Sequence, residues 1–291
     1  MTVRRAEPAG SLTSERNEAE GSYTGAGGLR LFRRVRQPAG RARGVVINLH
    51  GLGDHSGLYP DLLGHLAAGG FLVHAPDLRG NGRSPGQRGY VGRWEELRED
   101  LHALVALVRS EEPGLPLFLL GNSLGGLIVL DYALTYPDGL RGVIAAAPPL
   151  GRLSVPALLL ALGRVMSRVW PRFSVRTGMD LSGLARDPAV RETVLADPLF
   201  HRRGTARLST EVVATIARVQ AEAPRFPVPV LILHGSADRM VAPEGSRGFI
   251  ARVGLPDREL REYPDGYHAL FADLDRARVL NDLERWIVSR L

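Results

Sequence analysis

Short apolar runs recur along the chain at intervals that suit strands separated by helices. Five runs rich in β-branched residues or leucine lie at 45–49, 71–75, 117–120, 143–146 and 230–233, and a weaker one lies at 259–263. Runs of this length without polar alternation are typical of strands buried on both faces of a sheet. Apolar residues at helical spacing occupy 94–108, 124–136 and 274–287. This alternation predicts an α/β fold with a mostly parallel central sheet flanked by helices.

The pattern stops between residues 148 and 225, where no strand pattern appears over nearly eighty residues. This stretch opens with an apolar helical pattern that runs from Val155 to Trp170. We therefore predict a helical cap at 148–225, inserted after the sixth strand of a core formed by 21–147 and 226–291. Within that core, glycines near residue 25 predict a hairpin over 22–36. The polar residues 1–20 are expected to form a flexible N-terminal segment.

Two residue types are missing from the 291 residues: all 37 basic side chains are arginine, and there is no cysteine. Without lysine there is no Schiff-base chemistry, Walker-type phosphate loop or kinase-type ATP site. Without cysteine there is no disulfide, thiolate nucleophile or sulfur-ligated metal. The only cluster with metal-ligand character is His50, Asp54 and His55, and no further ligand set converges on it. We therefore expect neither a metal nor a cofactor.

The net charge of +6 is unevenly distributed along the chain. Residues 1–43 carry +5 and the predicted cap carries +6, whereas the rest of the core carries −5. There is no basic stripe interleaved with aromatic residues, so nucleic-acid binding is not expected. The sequence also contains no apolar run long enough to span a bilayer and no signal-peptide pattern, which predicts a cytoplasmic protein. Nothing in the sequence indicates the oligomeric state.

A candidate nucleophile lies in the motif Gly-Asn-Ser-Leu-Gly at 121–125, between the apolar run 117–120 and the helical pattern 124–136. A serine on a sharp strand-to-helix turn projects its hydroxyl, and the flanking glycines let strand and helix approach closely. The motif alone is weak evidence for a nucleophile, because a shuffled chain of the same composition could contain it by chance. Its position between a strand and a helix makes Ser123 the predicted nucleophile.

A serine needs a base to remove its proton and an acid to orient that base. Asp238 follows the run 230–233, and His268 follows the run 259–263. The chain order Ser, Asp, His is that of α/β-hydrolases, so we assign His268 as general base and Asp238 as its acid. Asp265 is the main rival acid, although its Pro-Asp-Gly turn already explains it. The other histidines are interpreted as packing residues (His65, His74, His102), loop braces (His50, His234) or part of the insert (His201).

The oxyanion formed by attack on a carbonyl needs two backbone N–H donors. The amide of Leu124, directly after the nucleophile, is one candidate. The other is expected in the glycine-rich loop that follows the first buried strand, where we select the amide of Leu52.

Several segments together resemble the α/β-hydrolase superfamily, and more narrowly its monoacylglycerol lipase and lysophospholipase group. They are HGLGDHSGLY at 50–59, DLRGNGRSPGQRG at 77–89, GNSLGG at 121–126, DPL at 197–199, HGSADRMV at 234–241 and GYH at 266–268. By that resemblance Ser123, Asp238 and His268 match the catalytic triad, Leu52 and Leu124 match the oxyanion positions, and the insert matches a cap over the acyl pocket. Two positions depart from the family pattern, since Asn81 and Asn122 stand where histidine is usual.

The resemblance implies a serine ester hydrolase that cleaves monoacylglycerols to fatty acid and glycerol through an acyl-enzyme. A lysophospholipase or general carboxylesterase would use the same residues. An acyltransferase and a non-catalytic ligand-binding protein are less favoured alternatives. The basic, apolar cap also suggests transient contact with a membrane surface, although an apolar helix packed over the pocket and flanked by solvated arginines explains the same pattern.

Overall fold

A computed structural model describes residues 13–15, 17–151, 157–178 and 180–291 of the chain. The strands are β1 (Thr13–Glu15), β2 (Glu18–Thr24), β3 (Arg30–Arg36), β4 (Gly44–Leu49), β5 (Phe71–Pro76), β6 (Leu117–Asn122), β7 (Leu140–Ala146), β8 (Ser174–Arg176), β9 (Arg203–Thr205), β10 (Val230–Gly235) and β11 (Arg258–Tyr263). The helices are α1 (Pro60–Ala68), α2 (Glu95–Glu111), α3 (Leu124–Thr135), α4 (Ala157–Val169), α5 (Pro188–Ala196), α6 (Ala206–Glu222), α7 (Glu244–Arg252) and α8 (Arg276–Val288).

Nine of these strands form the central sheet, in the order β1-β2-β3-β5-β4-β6-β7-β10-β11. From β5 to β11 all neighbouring strands are parallel, whereas β1, β2 and β3 pair antiparallel at one edge. The strands β4, β5, β6 and β10 are buried along their whole length, because helices cover both faces of the sheet. The predicted α/β-hydrolase architecture is confirmed.

One apolar core lies on each face of the sheet. On one face the sheet packs against α2, α3 and α7, and on the other it packs against α1 and α8. Helix α3 is buried from Leu124 to Ala133, as expected for a helix that packs against the sheet on one side and against other helices on its remaining sides. This burial fixes the start of α3, and therefore the preceding turn, relative to the sheet.

The six predicted strands and the 22–36 hairpin are confirmed as β4, β5, β6, β7, β10, β11 and the β2–β3 pair. Burial on both faces is wrong for β11, because it lies at the edge of the sheet and only its Tyr263 is buried. Thr13–Glu15 pairs with β2, which starts at Glu18, so part of the 1–20 stretch is paired into the sheet. The flexible N-terminal segment itself stays a prediction. Residues 1–12 lie outside the described residues. Counting β1, the insert follows the seventh strand in chain order.

Within its described residues, the insert contains the helices α4, α5 and α6 and the short antiparallel pair β8–β9, which the sequence did not predict. Strands of three residues are too short to show an alternating pattern, so this pair left no strand signal within the predicted helical cap. The predicted first helix is present as α4, although its expected start at Val155 lies outside the described residues. The boundaries 148–225 stay a prediction for the cap.

The cap is anchored to the core by a buried carboxylate. Asp131 of α3 is fully buried and accepts hydrogen bonds from Arg218 of α6, from Arg98 of α2 at 3.0 Å, and from the indole N–H of Trp94 at 2.9 Å. Two arginines therefore neutralise one buried carboxylate, which satisfies the requirement that a buried charge be paired. This cluster connects α6 of the cap to α3, the helix that follows Ser123.

Candidate active site

Ser123 lies on the turn between β6 and α3, in a backbone conformation that side chains rarely adopt. Its φ and ψ are 52° and −117°, so a non-glycine residue occupies the positive-φ region. The turn is held by hydrogen bonds from the amide of Ser123 to Ala146 O at 2.8 Å and from the amide of Leu127 to Ser123 O at 3.1 Å. Strain of this kind persists only where the surroundings enforce it.

The two glycines of the motif are required because backbone atoms pass too close for a side chain. A Cβ on Gly121 would lie 2.2 Å from Gly125 O, and a Cβ on Gly125 would lie 2.3 Å from Leu49 O and 2.6 Å from His50 O. The start of α3 therefore touches the backbone at the end of β4. This close approach places Ser123 beside the loop that follows β4.

Asp238 and His268 form a buried hydrogen-bonded pair at the carboxyl ends of β10 and β11. His268 Nδ1 is 2.7 Å from Asp238 Oδ2, while Asp238 Oδ1 accepts the amides of Met240 at 2.8 Å and Val241 at 2.9 Å. Burial acts to raise the pKa of Asp238, but the hydrogen bonds from His234, His268 and the Val241 amide outweigh it and hold that pKa well below its usual value. The carboxylate is therefore ionised, so Nδ1 of His268 carries the proton and Nε2 is free to accept one.

Asp265, the rival acid, does not occupy this position. It is exposed, has a positive φ of 57°, and its amide donates to Ser236 Oγ at 3.0 Å. These are the properties of a turn residue.

A second histidine faces the same carboxylate. His234 Nε2 lies 3.0 Å from Val241 O and 3.4 Å from Asp238 Oδ2, and its Nδ1 lies 2.8 Å from Ser246 Oγ. Both acceptors near Nε2 require that this nitrogen carry the proton, so the Ser246 hydroxyl donates to Nδ1. His234 and Ser246 are fully buried. His234 therefore braces the Asp238 loop, as predicted, and also directs its N–H toward the carboxylate.

Ser123, His268 and Leu52 line one cavity of about 390 Å³, beside which α3 begins at Leu124. The amides of Leu52 and Leu124 make no hydrogen bond to any described residue, so both are available as donors. A Cβ on Gly51 would lie 3.3 Å from the Ser123 Cβ, which shows how closely the first loop approaches the serine. No hydrogen bond joins Ser123 to His268 within the described residues, and catalytic contacts of this kind often tighten only when substrate binds.

Asn122, one of the two departures from the family pattern, makes a polar chain next to Ser123. Its Nδ2 donates to the Tyr59 hydroxyl at 3.1 Å, and that hydroxyl donates to Asp54 Oδ2 at 2.7 Å. Burial, followed by the negative charge of Asp54, raises the pKa of Tyr59 well above its usual value, so the hydroxyl stays protonated. Asn122 thus fixes Tyr59 and Asp54 at the cavity wall.

The cavity walls are mainly apolar, and the insert supplies many of them. The apolar side chains that line the cavity come from the insert (Leu181, Leu184, Ala189, Val190, Val194 and Phe200) and from the core (Leu52, Leu58, Met240 and Phe271). The charged lining consists of Asp54, Asp61, Asp187 and Arg276. A largely apolar cavity with a few polar groups at one end is typical of a small-molecule site.

The insert also contacts the loop that carries His268. The amide of His268 donates to Gly183 O at 3.3 Å, and that of Ala269 donates to Leu184 O at 2.7 Å. Arg186 adds a side-chain contact, with its Nε 2.9 Å from Asp273 Oδ2. The catalytic histidine candidate is therefore held from both sides, by Asp238 and by the insert.

The described residues contain no cluster of three or more histidine, aspartate or glutamate side chains that could hold a metal. His50 Nε2 accepts the amide of Leu78 at 2.9 Å, and His55 Nε2 faces Asp197 at 3.0 Å, so both side chains brace loops.

Sequence reasoning missed several residues that shape the site. Tyr59, Ser246 and Arg186 have no distinctive spacing, and their contacts depend on how loops from distant parts of the chain meet. His234 was predicted as a loop brace, and its contact with Asp238 could also have been found, because it lies near the end of β10 and four residues before Asp238.

Comparison with known proteins identifies the family to which the chain belongs. The model that matches residues 40–275 is Hydrolase_4, described as serine aminopeptidase, S33. The chain is similar to a monoacylglycerol lipase from Mycolicibacterium smegmatis, with 34% identity over 94% of this chain and 98% of that protein, and to a monoglyceride lipase from Homo sapiens, with 30% identity over 91% and 89%. The crystal structure of a monoacylglycerol lipase from Paleococcus ferrophilus superposes with a TM-score of 0.83, at 36% identity, over 90% of this chain and 99% of that one.

Proposed function

The chain belongs to the Hydrolase_4 family of serine hydrolases, and from that premise we propose that it cleaves monoacylglycerols into fatty acid and glycerol. We propose Ser123 as nucleophile, His268 as general base and Asp238 as the acid that orients it. The observation that carries the proposal is a single cavity lined by Ser123, on a strained turn, and by His268, whose Nδ1 lies 2.7 Å from the buried Asp238.

In the first half of the proposed reaction, Ser123 Oγ attacks the ester carbonyl while His268 Nε2 takes its proton. The amides of Leu52 and Leu124 donate to the oxyanion of the tetrahedral intermediate. Asp238 stays ionised and stabilises the imidazolium, because its carboxylate is already bound by two backbone amides. The intermediate collapses to an acyl-serine, and His268 gives its proton to the departing glycerol oxygen.

In the second half, a water molecule enters where glycerol left and attacks the acyl carbonyl, with His268 again accepting a proton. The same two amides bind the second oxyanion. Breaking the bond to Ser123 Oγ releases the fatty acid and returns the proton to the serine.

The cavity favours a neutral ester with one acyl chain. A volume of about 390 Å³ is at the small end of ligand cavities, which run from about 300 to 1,000 Å³. Three carboxylates line it against one guanidinium, and that guanidinium, Arg276, is 3.1 Å from Asp61. Carboxylates accept hydrogen bonds from glycerol hydroxyls but repel a phosphate. The lining therefore favours a monoacylglycerol over a lysophospholipid.

The experiment that tests this function is a hydrolysis panel with the purified protein. It compares monoacylglycerols of increasing chain length, matched lysophospholipids and p-nitrophenyl esters, with released fatty acid as the readout. We expect turnover of monoacylglycerols, loss of nearly all activity in Ser123→Ala, and fluorophosphonate labelling of wild type that Ser123→Ala abolishes. Ser110→Ala, at an exposed position on α2, is the matched control. Full activity in Ser123→Ala, or no turnover of any monoacylglycerol, contradicts the proposal.

The same panel separates the alternatives that use this site. Product analysis in the presence of added alcohol identifies an acyltransferase, because the acyl group then appears in a new ester instead of free fatty acid. A non-catalytic binding protein would leave every ester intact and Ser123 unlabelled. Preferred turnover of lysophospholipids would reassign the substrate while keeping the triad.

We further propose that α4 of the cap contacts a membrane surface transiently. Apolar side chains lie exposed on or just after this helix, with Val169 exposed by 77% and Trp170 by 58%, and Arg164 and Arg168 are exposed beside them. An exposed apolar face flanked by arginines suits the boundary of an anionic bilayer. Within the described residues, no helix has the length and apolar character to cross a membrane. A cytoplasmic location stays a prediction.

Co-sedimentation with vesicles tests this contact. We expect binding to vesicles that contain anionic lipid, reduced several-fold in Trp170→Ser and in the pair Arg164→Gln and Arg168→Gln. Leu274→Ser is the matched control, since Leu274 is 60% exposed and lies outside the cap. Binding that ignores both lipid charge and the α4 variants contradicts the proposal and leaves α4 as a helix that packs on α6.

A further inference from the structure

A short segment of the insert touches the loop that carries Leu52. The amide of His201 donates to Gly53 O at 3.0 Å. On the other side of the same residue, the amide of Gly53 donates to Asn81 Oδ1 at 3.2 Å. Asn81 Oδ1 in turn lies 2.9 Å from His201 Nε2. Gly53, Asn81 and His201 thus form a closed ring of three contacts.

The hydrogen-bonding groups assign the proton on His201. Its Nδ1 accepts the amide of Arg203 at 3.2 Å, so Nε2 carries the proton and donates to Asn81 Oδ1. Burial and the nearby Arg88 lower the pKa of His201 to about 4, which keeps the ring neutral near pH 7. Asn81 is itself oriented, because its Nδ2 donates to Arg79 O at 3.0 Å. Each donor in the ring therefore has one defined acceptor.

This ring fixes both backbone groups of the residue that follows Leu52. The amide and the carbonyl of Gly53 are both engaged, so the peptide planes on either side of Gly53 are held. The peptide plane between Leu52 and Gly53 meets the plane that carries the Leu52 N–H at the Leu52 Cα. If the first plane rotated, the Leu52 N–H would turn away from the cavity. We propose that His201 and Asn81 are positioning residues that hold the Leu52 amide in the orientation an oxyanion requires. The proposal rests on the oxyanion role proposed above for Leu52.

Two further observations indicate that the loop carrying Leu52 keeps its shape only while the insert is packed against it. Gly53 has a φ of +80°, and a Cβ there would lie 2.0 Å from His201 O, so the two backbones are in direct contact. His55, two residues further along the loop, has its Nε2 3.0 Å from Asp197 Oδ2 of the insert. The segment from Asp197 to His201 therefore contacts the loop at two residues, Gly53 and His55. It also accounts for the asparagine at position 81, whose carbonyl oxygen accepts from both sides.

The test compares variants that remove one contact of the ring. His201→Phe removes the ring N–H and keeps the shape, Asn81→Leu removes the shared acceptor, and His201→Gln restores an N–H donor. Kinetics use a soluble p-nitrophenyl ester, and kcat is expressed per site that a fluorophosphonate labels, so misfolded protein does not count. Loss of one oxyanion donor typically costs 10²- to 10³-fold in kcat. For a donor that is misdirected rather than removed, we expect a loss of about tenfold in kcat with KM changed less than about twofold.

The pattern of results separates positioning from general stability. The double variant His201→Phe with Asn81→Leu should lose little more than either single variant, because both break the same ring, and His201→Gln should recover to within about threefold of wild type. Gln87→Ala is the control, since it removes another contact between insert and core, from Gln87 Nε2 to Arg172 O, that does not reach Gly53.

Three outcomes overturn the proposal: kcat above half of wild type in both single variants, losses confined to KM, or losses equal to those of Gln87→Ala. A failure of the proposed function itself looks different. In that case wild type is not labelled at Ser123, or Ser123→Ala keeps its activity, whatever the ring variants do.

Discussion

Adding one methyl group at Gly125 should stop catalysis without touching any reacting side chain. The Cβ of an alanine would lie 2.3 Å from Leu49 O and 2.6 Å from His50 O, whereas Cβ contacts below about 3.0 Å essentially do not occur. The oxygens of Leu49 and His50 are backbone atoms at the end of β4. This strand is buried on both faces, so its backbone cannot move aside. Helix α3 and the Ser123 turn must therefore move by about 1 Å.

A displacement of that size is large compared with what acyl transfer tolerates. Misplacing a reacting group by about 1 Å can cost 10²-fold in rate, and here the nucleophile and the Leu124 amide move together. We expect Gly125→Ala to lose at least about 100-fold in kcat on a p-nitrophenyl ester, with a similar loss in the rate of fluorophosphonate labelling. Its unfolding temperature should also fall, because the strand and helix no longer pack.

Two glycine variants serve as matched controls. At Gly126, one residue further along α3, the nearest atoms to an added Cβ are 3.2 Å away and include the Pro148 side chain, so Gly126→Ala should lose far less activity. At Gly64, in α1, nothing lies within 4 Å of the added Cβ, and Gly64→Ala should gain about 0.5–1 kcal/mol of stability. If Gly125→Ala keeps kcat within threefold of wild type, the nucleophile does not depend on this close approach.

Three further predictions follow from buried or charged groups. Burial and the neighbouring Arg33 lower the pKa of His74 to about 3, so unfolding is favoured as pH falls below about 6.5. Urea titrations should show wild type losing about 1.4 kcal/mol per pH unit relative to His74→Asn between pH 6.5 and 4.5, and a constant difference contradicts this. Asp187→Asn keeps the helix cap to the Ala189 amide but removes a charge from the cavity. It should raise the kcat/KM of an anionic lysophospholipid relative to a monoacylglycerol about two- to fivefold, and an unchanged ratio means the carboxylate does not select the head group. Ser246→Ala leaves Nδ1 of the buried His234 without its donor and should lower both kcat, several-fold, and the free energy of unfolding, by about 1–3 kcal/mol in urea titrations. Wild-type kcat in that variant would show that Asp238 is oriented without this histidine.

Much of the core and of the candidate site was predictable because parallel strands impose simple rules. Strands buried on both faces are mostly apolar, which makes β4, β5, β6 and β10 visible as apolar runs with only one polar side chain in each. Their carboxyl ends meet at one edge of the sheet, so residues just after β6, β10 and β11 are expected to lie together. Ser123, Asp238 and His268 follow these three strands, and the structure brings them to that edge.

The features that could not be predicted have no periodic signal. The strands β1, β8 and β9 have three residues each, too few to distinguish a strand pattern from chance. In the ring around Gly53, Asn81 is 28 positions away from Gly53 and 120 positions away from His201 along the chain. Such contacts depend on how the insert docks on finished loops, and side-chain types alone do not determine that.

The contacts of the insert change what the cap contributes to the site. A cap that only covered an apolar pocket would touch the core through its lining residues and leave the loops around Ser123 independent. Here the insert holds the His268 loop through Gly183 and Leu184, and holds the Leu52 loop through His201. Displacing the cap would therefore release both the proposed general base and one proposed oxyanion donor at once. We infer that the core alone lacks a competent site even though it contains Ser123, Asp238 and His268, so that changes in the cap should alter kcat as well as substrate affinity.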